Sequence, residues 1–204
     1  MMAADGNYAK IVADNLGRLF ENPPGDLDRR LGARRDNDRY HFPAFGRPCT
    51  LSADEIRLQG RPETGVLGIL ISLYALHAKS EPCTVEPLVS FKELPDSMPY
   101  AGAFVTRTQQ VLVPRVDRIC DCAESIVKTI GGGAVPPQIA GDVSFLLYPL
   151  PKIALCYVFY RADDDFPASV SCLYSANAAR HLTTDALADV GEYTSREILQ
   201  IIDR

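Results

Sequence analysis

Two apolar runs near the carboxyl end of the chain dominate its hydrophobic pattern. They cover residues 143–148 and 153–160, are rich in β-branched and aromatic residues, and are separated by two prolines, which cannot donate to a ladder. In the second run both alternating sets of side chains are apolar, so a strand there must be covered on both faces. A third run, residues 168–174, alternates apolar with polar positions, as an edge strand does. The pattern predicts an antiparallel three-strand meander with residues 153–160 at its centre and Val158 facing the helices.

Helical periodicity governs much of the remaining chain. The pattern predicts a helix at residues 8–20, a short polar helix or turn at 27–32, an almost wholly apolar helix at 65–77, helices at 115–130 and 183–201, and a short turn or helix at 177–181. Gly131 to Gly133 are predicted to end the fourth of these helices and to act as a flexible joint. Gly191 lies on the apolar stripe of the last helix, where it permits close packing or a break in the helix.

Turn residues mark the parts of the chain that are not helical. Short strands are predicted at residues 40–45 and 47–52, while residues 89–104 contain two turn signals and are predicted to be a structured loop. The order of helices, then a sheet, then a helix predicts the α+β class. We therefore expect an antiparallel sheet built on the C-terminal meander and packed by helices, in a single domain over residues 1–204.

Composition narrows the classes of partner. The 204 residues are 47% hydrophobic and 23% charged, and the formal net charge is −5. An acidic chain argues against a surface for nucleic acid or anionic membrane, because both need a clustered positive field. The four arginines that do cluster have four aspartates among and beside them, which predicts a solvated, salt-bridged face: Arg29, Arg30, Arg34, Arg35 with Asp26, Asp28, Asp36, Asp38.

The chain shows no signal for membrane insertion or export. The longest apolar run, residues 65–78, is shorter than the roughly 20 residues that a bilayer requires. The first residues contain neither a basic segment nor an apolar segment of the kind a leader needs. These features predict a cytoplasmic protein without a membrane span, and its six scattered cysteines predict reduced thiols.

Familiar catalytic and metal motifs are absent from the sequence. It has no G-x-S-x-G, no H-E-x-x-H and no phosphate-binding glycine motif, and Cys120 and Cys122 are too close in sequence for a zinc hook. Cys156 and Cys172 would lie opposite each other if the intervening turn were centred near Asp164. They would then form either a redox pair or two small buried hydrophobic residues.

The acidic turn after the central strand is the first candidate site. Asp163, Asp164 and Asp165 supply the hard oxygen ligands that Mg²⁺ or Ca²⁺ prefers, although acidic residues are also ordinary at an exposed turn. His181 and Asp185 follow near the start of the last helix. A carboxylate close to His181 would favour its protonated form.

Aromatic residues of the loop at residues 89–104 complete the candidate site. Phe91, Tyr100 and Phe104 either plug the end of the core or bind a ligand, because each would otherwise stay partly in water. We expect this loop, the acidic turn and the entry to the last helix to converge on one site.

Several stretches resemble the domain-of-unknown-function family numbered 3786. The similarity is carried by LDRRLGA, FGRPCTLS, VSFKELPDSMPYAGAF and the run from LPKIALCYVFYRADDDFP to HLTTDALADVGE, at residues 27–33, 45–52, 89–104 and 150–192. The family's usual Gly-Asp-Glu-Glu-Phe-Pro is Ala-Asp-Asp-Asp-Phe-Pro at residues 162–167 here. Its Phe-Asp is replaced within Leu173-Tyr174-Ser175, so one acidic position is lost.

The resemblance implies a setting rather than an activity. Similar proteins occur chiefly in anaerobic bacteria and archaea, and some are joined to a small cysteine-rich iron–sulfur domain. This chain lacks such a cysteine cluster, so the resemblance implies that such a partner would be a separate protein. The leading hypothesis is a non-catalytic accessory domain that binds a cofactor or a partner, such as a corrinoid or iron–sulfur protein. The alternative is a divalent-metal-dependent enzyme that uses the acidic turn.

Overall fold

Two antiparallel sheets of five strands each make up the β structure of the described residues. The structure is a computed structural model and describes residues 2–204. In the first sheet the strands follow chain order, as β1 (Arg34–Asp36), β2 (Arg39–Ala44), β3 (Arg47–Leu51), β4 (Ile56–Leu58) and β5 (Arg61–Pro62). In the second sheet the order is β6 (Val89–Ser90), β10 (Ser169–Tyr174), β9 (Ile153–Tyr160), β8 (Val143–Leu150) and β7 (Gly132–Gly133).

Helices occupy the intervals between these strands. They are α1 (Met2–Glu21), α2 (Leu27–Leu31), α3 (Val66–His77), α4 (Ala101–Phe104), α5 (Val116–Asp121), α6 (Ala123–Ile130), α7 (Ala178–His181) and α8 (Thr184–Ile202). The α+β class is therefore confirmed. Both sheets and most helices contribute side chains to one continuous hydrophobic core. That shared core supports the single domain expected over residues 1–204, which stays a prediction. None of the described helices has both the length and the apolar character of a membrane span.

The predicted meander is present, and β9 is its central strand. Every residue from Ile153 to Phe159 is buried, as the two apolar faces required. Leu155, Tyr157 and Phe159 pack into the main core. Val158 lies on the opposite face, which is covered by residues 83–88 and 135–139. The prediction that Val158 faces the helices is therefore wrong, because irregular segments cover that side of the sheet.

The register of the β9–β10 hairpin differs by one residue from the predicted one. Cys172 pairs with Tyr157, and Cys156 pairs with Leu173. Because side chains alternate between faces, the two thiols point to opposite sides of the sheet. Both are free, and burial raises the pKa of Cys156 to about 11 and raises that of Cys172 as well. The alternative of a redox pair is wrong, and the alternative of two buried hydrophobic residues is confirmed.

Two predictions for residues 115–133 require correction. The helix expected at residues 115–130 is divided into α5 and α6 at Cys122, which has a non-helical backbone. Gly131 ends α6 as expected, with φ of 93°. Gly132 and Gly133 form a strand rather than a joint. A Cβ on Gly132 would lie 2.9 Å from the carbonyl oxygen of Leu146, so this position has no room for a side chain.

The segment at residues 89–104 is more regular than the predicted loop. It forms β6, a 3-10 turn at Phe91–Glu93 and α4, which continues directly into a π-helical turn at Val105–Gln110. Later in the chain, α8 remains continuous through Gly191. A Cβ at Gly191 would lie 2.7 Å from Phe104 Cε2 and 2.8 Å from Tyr174 Oη, so this glycine permits close packing rather than a break.

Candidate functional site

The structure places the predicted site residues in three separate regions. Asp163, Asp164 and Asp165 lie at the tip of the β9–β10 hairpin, whereas His181 lies in α7, beyond the other end of β10. Six residues of extended strand separate these ends by about 20 Å. Tyr100, Phe104 and Asp185 do line one groove, between α4 and α8. The predicted convergence is thus correct for the α4 segment and α8, and wrong for the hairpin tip.

The acidic turn uses its first carboxylate to fix its own backbone. Asp163 Oδ1 accepts hydrogen bonds from the backbone N–H groups of Asp165 (2.9 Å) and Phe166 (2.7 Å). The N–H of Asp163 donates to the carbonyl oxygen of Phe166 at 3.0 Å. These three bonds close the turn. Within residues 2–204, no group of three or more histidine, cysteine or acidic side chains is arranged to hold a metal ion.

The base of the hairpin is fixed by a single arginine. The Arg161 guanidinium donates to Asp117 Oδ1 (3.0 Å) and Asp121 Oδ1 (2.8 Å), which belong to α5, and its backbone N–H donates to Asp142 Oδ2 (2.7 Å). The hydrogen bond to Asp121 is the main reason that the pKa of Arg161 is raised. The exposed ion pairs contribute little stability. They do fix the direction in which the hairpin leaves the sheet.

Phe166 projects from this ordered turn into solvent. Its side chain is 70% exposed, although it belongs to a residue type that is usually buried. An open groove of about 500 Å³ begins two residues later, lined by Val105, Gln109, Gln110, Val113, Pro114, Ala168, Ser169 and Val170. The groove wall includes the π-helical turn, a rare conformation that is frequent at functional sites. We call residues 163–167 and this groove the hairpin-tip surface.

The three aromatic residues of the predicted site divide into two roles. The rings of Phe91 and Phe104 are buried and stacked, with centroids 4.3 Å apart, and both pack against Tyr174. Their burial is that of a plug at the end of the core. Tyr100 is 39% exposed and stands at the mouth of the α4–α8 groove, whose volume is about 150 Å³.

Carboxylates dominate the other wall of the α4–α8 groove. Asp185, Asp189 and Glu192 follow one face of α8, and Arg107 approaches Glu192 at 3.3 Å. Burial raises the pKa of Asp189, and the neighbouring Glu192 and Asp185 raise it further. The position of Asp185 in the first turn of α8 also suits the positive end of the helix dipole.

His181 and Lys152 together fix the segment that covers the outer face of β9. Lys152 is only 6% exposed, and its Nζ donates to the carbonyl oxygens of Lys79 (3.0 Å), Ser80 (3.1 Å) and Glu81 (2.7 Å). The N–H of Lys79 donates to Nδ1 of the fully buried His181 at 3.3 Å. We call residues 79–88 the covering loop. No sequence pattern indicates this role for Lys152, because its partners lie 71 to 73 residues earlier.

His181 has the opposite electrostatic environment to the one expected. Burial lowers the pKa of its imidazole, and the positive charge of Lys152 lowers it further, against a smaller opposing effect of Glu81. The neutral ring accepts at Nδ1 from the N–H of Lys79, so it carries its proton on Nε2, which lies 3.2 Å from the side-chain nitrogen of Asn177. The expectation that a carboxylate would favour the protonated form is wrong.

Acid should therefore destabilise the parent protein through His181. In the unfolded chain the imidazole titrates near its ordinary pKa of 6.5, and in the fold it titrates lower. Between these two values the unfolded chain binds more protons, so the unfolding free energy falls as the pH falls below about 6.5. We expect His181→Asn to flatten this dependence in urea unfolding between about pH 7 and pH 5. Parallel curves for the two proteins would contradict the prediction, because His77, whose pKa is also lowered, is present in both.

Comparison with known proteins supports the family relationship but gives no activity. The family model described as Domain of unknown function (DUF3786) matches residues 23–197, a span that contains both sheets and most of α8. No curated protein and no solved structure matches the chain.

Proposed function

The chain belongs to the family described as Domain of unknown function (DUF3786), and we propose its function from the geometry of the structure because that description names no activity. The protein is a non-catalytic accessory domain, and its hairpin-tip surface binds a partner protein. Phe166 is the observation that carries the proposal. An ordered turn holds this aromatic side chain in water, so its burial by a partner would stabilise the complex.

The turn around Phe166 is already organised for binding. Three hydrogen bonds fix residues 163–166, and Arg161 fixes the hairpin against α5. A partner therefore does not have to order this segment, which lowers the free-energy cost of association. Among the described residues, Phe166 belongs to neither hydrophobic cluster, so a role in the core does not explain its presence.

The chemistry of the tip specifies the partner's surface. Asp163, Asp164 and Asp165 directly precede Phe166 and place three carboxylates beside it. The complementary surface is an apolar pocket with a rim of lysine or arginine, since opposite charges across an interface steer encounter and fix register. The first partners to test are a corrinoid protein and an iron–sulfur protein of anaerobic metabolism, which the family resemblance implies. The alternative of a divalent-metal-dependent enzyme gains no support from the geometry, because β10 separates the acidic turn from His181 and Asp185.

The proposal predicts that Phe166→Ser weakens partner binding without weakening the fold. Loss of a central aromatic contact typically raises the dissociation constant about thirtyfold. Binding would be measured by titration calorimetry with purified corrinoid and iron–sulfur proteins encoded by the same genome. Unfolding midpoints of both forms would be compared in urea.

Met98→Ser is the matched control, because Met98 is 76% exposed and lies outside the hairpin-tip surface. It should leave both binding and stability unchanged. If Phe166→Ser lowered the unfolding midpoint as a core substitution does, the residue would be structural. If it bound a partner as tightly as the parent does, the hairpin tip would not be the interface.

A further inference from the structure

A row of polar side chains crosses the outer face of the first sheet. The registers pair Arg34 with His41, His41 with Thr50, and Thr50 with Arg57, so these four residues lie side by side on β1 to β4. Neighbouring strands are about 4.8 Å apart. The alternate residues of β2, β3 and β4 are buried against the core, so the row faces outward.

Two members of the row are held in place by neighbouring groups. Thr50 Oγ1 lies 3.1 Å from His41 Nδ1, which orients the imidazole. The Arg57 guanidinium donates to Glu55 Oε1 at 2.9 Å and to the carbonyl oxygen of Gly60 at 3.1 Å. The strands themselves are rigid supports. The imidazole of His41 and the guanidinium of Arg57 are therefore arranged before any ligand arrives.

The charge of this region is opposite to that of the whole chain. Residues 34–62 contain six arginines and four acidic residues, whereas the net charge of the chain is −5. The predicted salt-bridged face is only partly present. Arg30 pairs with Asp26 at 2.8 Å, but among residues 2–204 no carboxylate lies within 4 Å of the Arg34 guanidinium. An unneutralised guanidinium therefore stands next to His41.

A groove extends from the His41–Thr50 pair along the same face. The cross-strand pair of Pro43 and Pro48 forms part of its lining, and the end of α6 contributes Lys128. The volume is about 510 Å³, which is in the range of small-molecule sites. One end of the groove thus offers hydrogen-bond donors and positive charge, and the adjoining part offers apolar surface.

We propose that this groove binds a small organic anion. Its carboxylate or phosphate group contacts His41 and Thr50, with Arg34 beside them, and its apolar body lies over Pro43 and Pro48. Hydrogen bonds between a charged donor and an anionic oxygen are the strong ones, and Arg34 has guanidinium donors for both oxygens of such a group. Lys128 adds a second positive charge on the groove wall. This site is distinct from the hairpin-tip surface.

The test uses amide chemical shifts with three probes of similar shape. Phenyl phosphate and benzoate present the two anionic groups, and benzylammonium presents the opposite charge on the same ring. We expect saturable shifts on β2, β3 and the end of α6 with one or both anions, and none with benzylammonium. The anion that binds more tightly identifies the preferred head group.

Variants at the row separate a site from a merely basic surface. Arg34→Gln and His41→Gln should each raise the dissociation constant of the better anion about tenfold. Arg61→Gln is the matched control, because Arg61 is an exposed arginine of the same sheet that pairs with Leu58, on the other face. It should leave the dissociation constant unchanged.

Three outcomes would overturn the proposal. They are the absence of saturable shifts with either anion, equal shifts with benzylammonium, and an Arg61→Gln effect as large as that of Arg34→Gln. The Phe166→Ser variant should bind the anion with the same dissociation constant as the parent protein. The anion site and the partner interface can therefore fail independently of each other.

Discussion

Replacing Lys152 with methionine is expected to lower the unfolding free energy by about 3 kcal/mol or more. Methionine keeps an unbranched stem of similar length but removes the ammonium group, so three carbonyl oxygens of the covering loop lose their donor. A hydrogen bond to a charged group typically contributes about 1.5–3 kcal/mol, and Lys152 makes three of them in a part-buried setting. Urea unfolding gives the total effect. Hydrogen exchange should show that residues 79–88 lose protection before the central strand does.

Lys92→Met is the control for the loss of a positive charge. Lys92 is exposed, and its substitution should leave the unfolding midpoint unchanged within error. If Lys152→Met unfolded at the same urea concentration as the parent, the three hydrogen bonds would not be holding the covering loop. A large loss of stability with unchanged exchange in residues 79–88 would also contradict the proposed role, because the effect would then arise elsewhere.

The central strand could be predicted because its signal is local. Both alternating sets of β9 are apolar, and that pattern alone requires cover on two faces. The nature of the cover is not local information. One face packs on helices and the other on residues 83–88 and 135–139, which contain prolines and have no period of their own. The predicted orientation of Val158 toward the helices is wrong for this reason.

An error of one residue in the predicted register of the β9–β10 hairpin changes which side chains share a face. Centring the turn on Asp164 places Cys156 opposite Cys172, but the actual turn is half a residue later, and Cys156 meets Leu173. Since side chains alternate, this one-residue difference separates the two thiols onto opposite faces. The exact hydrogen bonds of the Asp163 turn set the register, and the sequence does not specify which of three aspartates makes them.

The first sheet is indicated by its turn residues rather than by the alternation of apolar and polar positions. Its strands have two to six residues and contain arginine and proline, so their propensities are weak. The signal lies in the recurring two-residue connections. Phe45-Gly46 and Gln59-Gly60 have positive φ at both residues, as the tight turns of hairpins require. Two X-Gly pairs between short alternating runs would have predicted more of this sheet than two isolated strands.

The candidate site was only partly predictable because residues that are close in sequence can lie at opposite ends of one strand. The acidic turn and His181 are close in sequence, yet β10 carries the chain from one end of the sheet to the other between them. Asp185 and Tyr100 are far apart in sequence and meet in one groove, because α4 packs against α8. Lys152 gave no signal at all, since its three acceptors are backbone oxygens.

The second large effect is expected at Val158. An aspartate there would place a carboxylate among apolar neighbours on the outer face of β9, including Cys83, Val85 and Ile139. A buried charge without a partner costs on the order of 3–5 kcal/mol, which corresponds to a fall in melting temperature of about 10 °C for a chain of this size. Differential scanning calorimetry measures that fall directly.

Ser171→Asp is the matched control, because Ser171 is the cross-strand partner of Val158 but is exposed. It should change the melting temperature little. Burial raises the pKa of a carboxyl group, so the destabilisation caused by Val158→Asp should shrink as the pH falls, while the control shows no such trend. If both aspartates lowered the melting temperature equally, charge on the sheet would be the cause rather than burial. If neither did, residues 83–88 and 135–139 would not seal this face, and β9 would be open to water on one side.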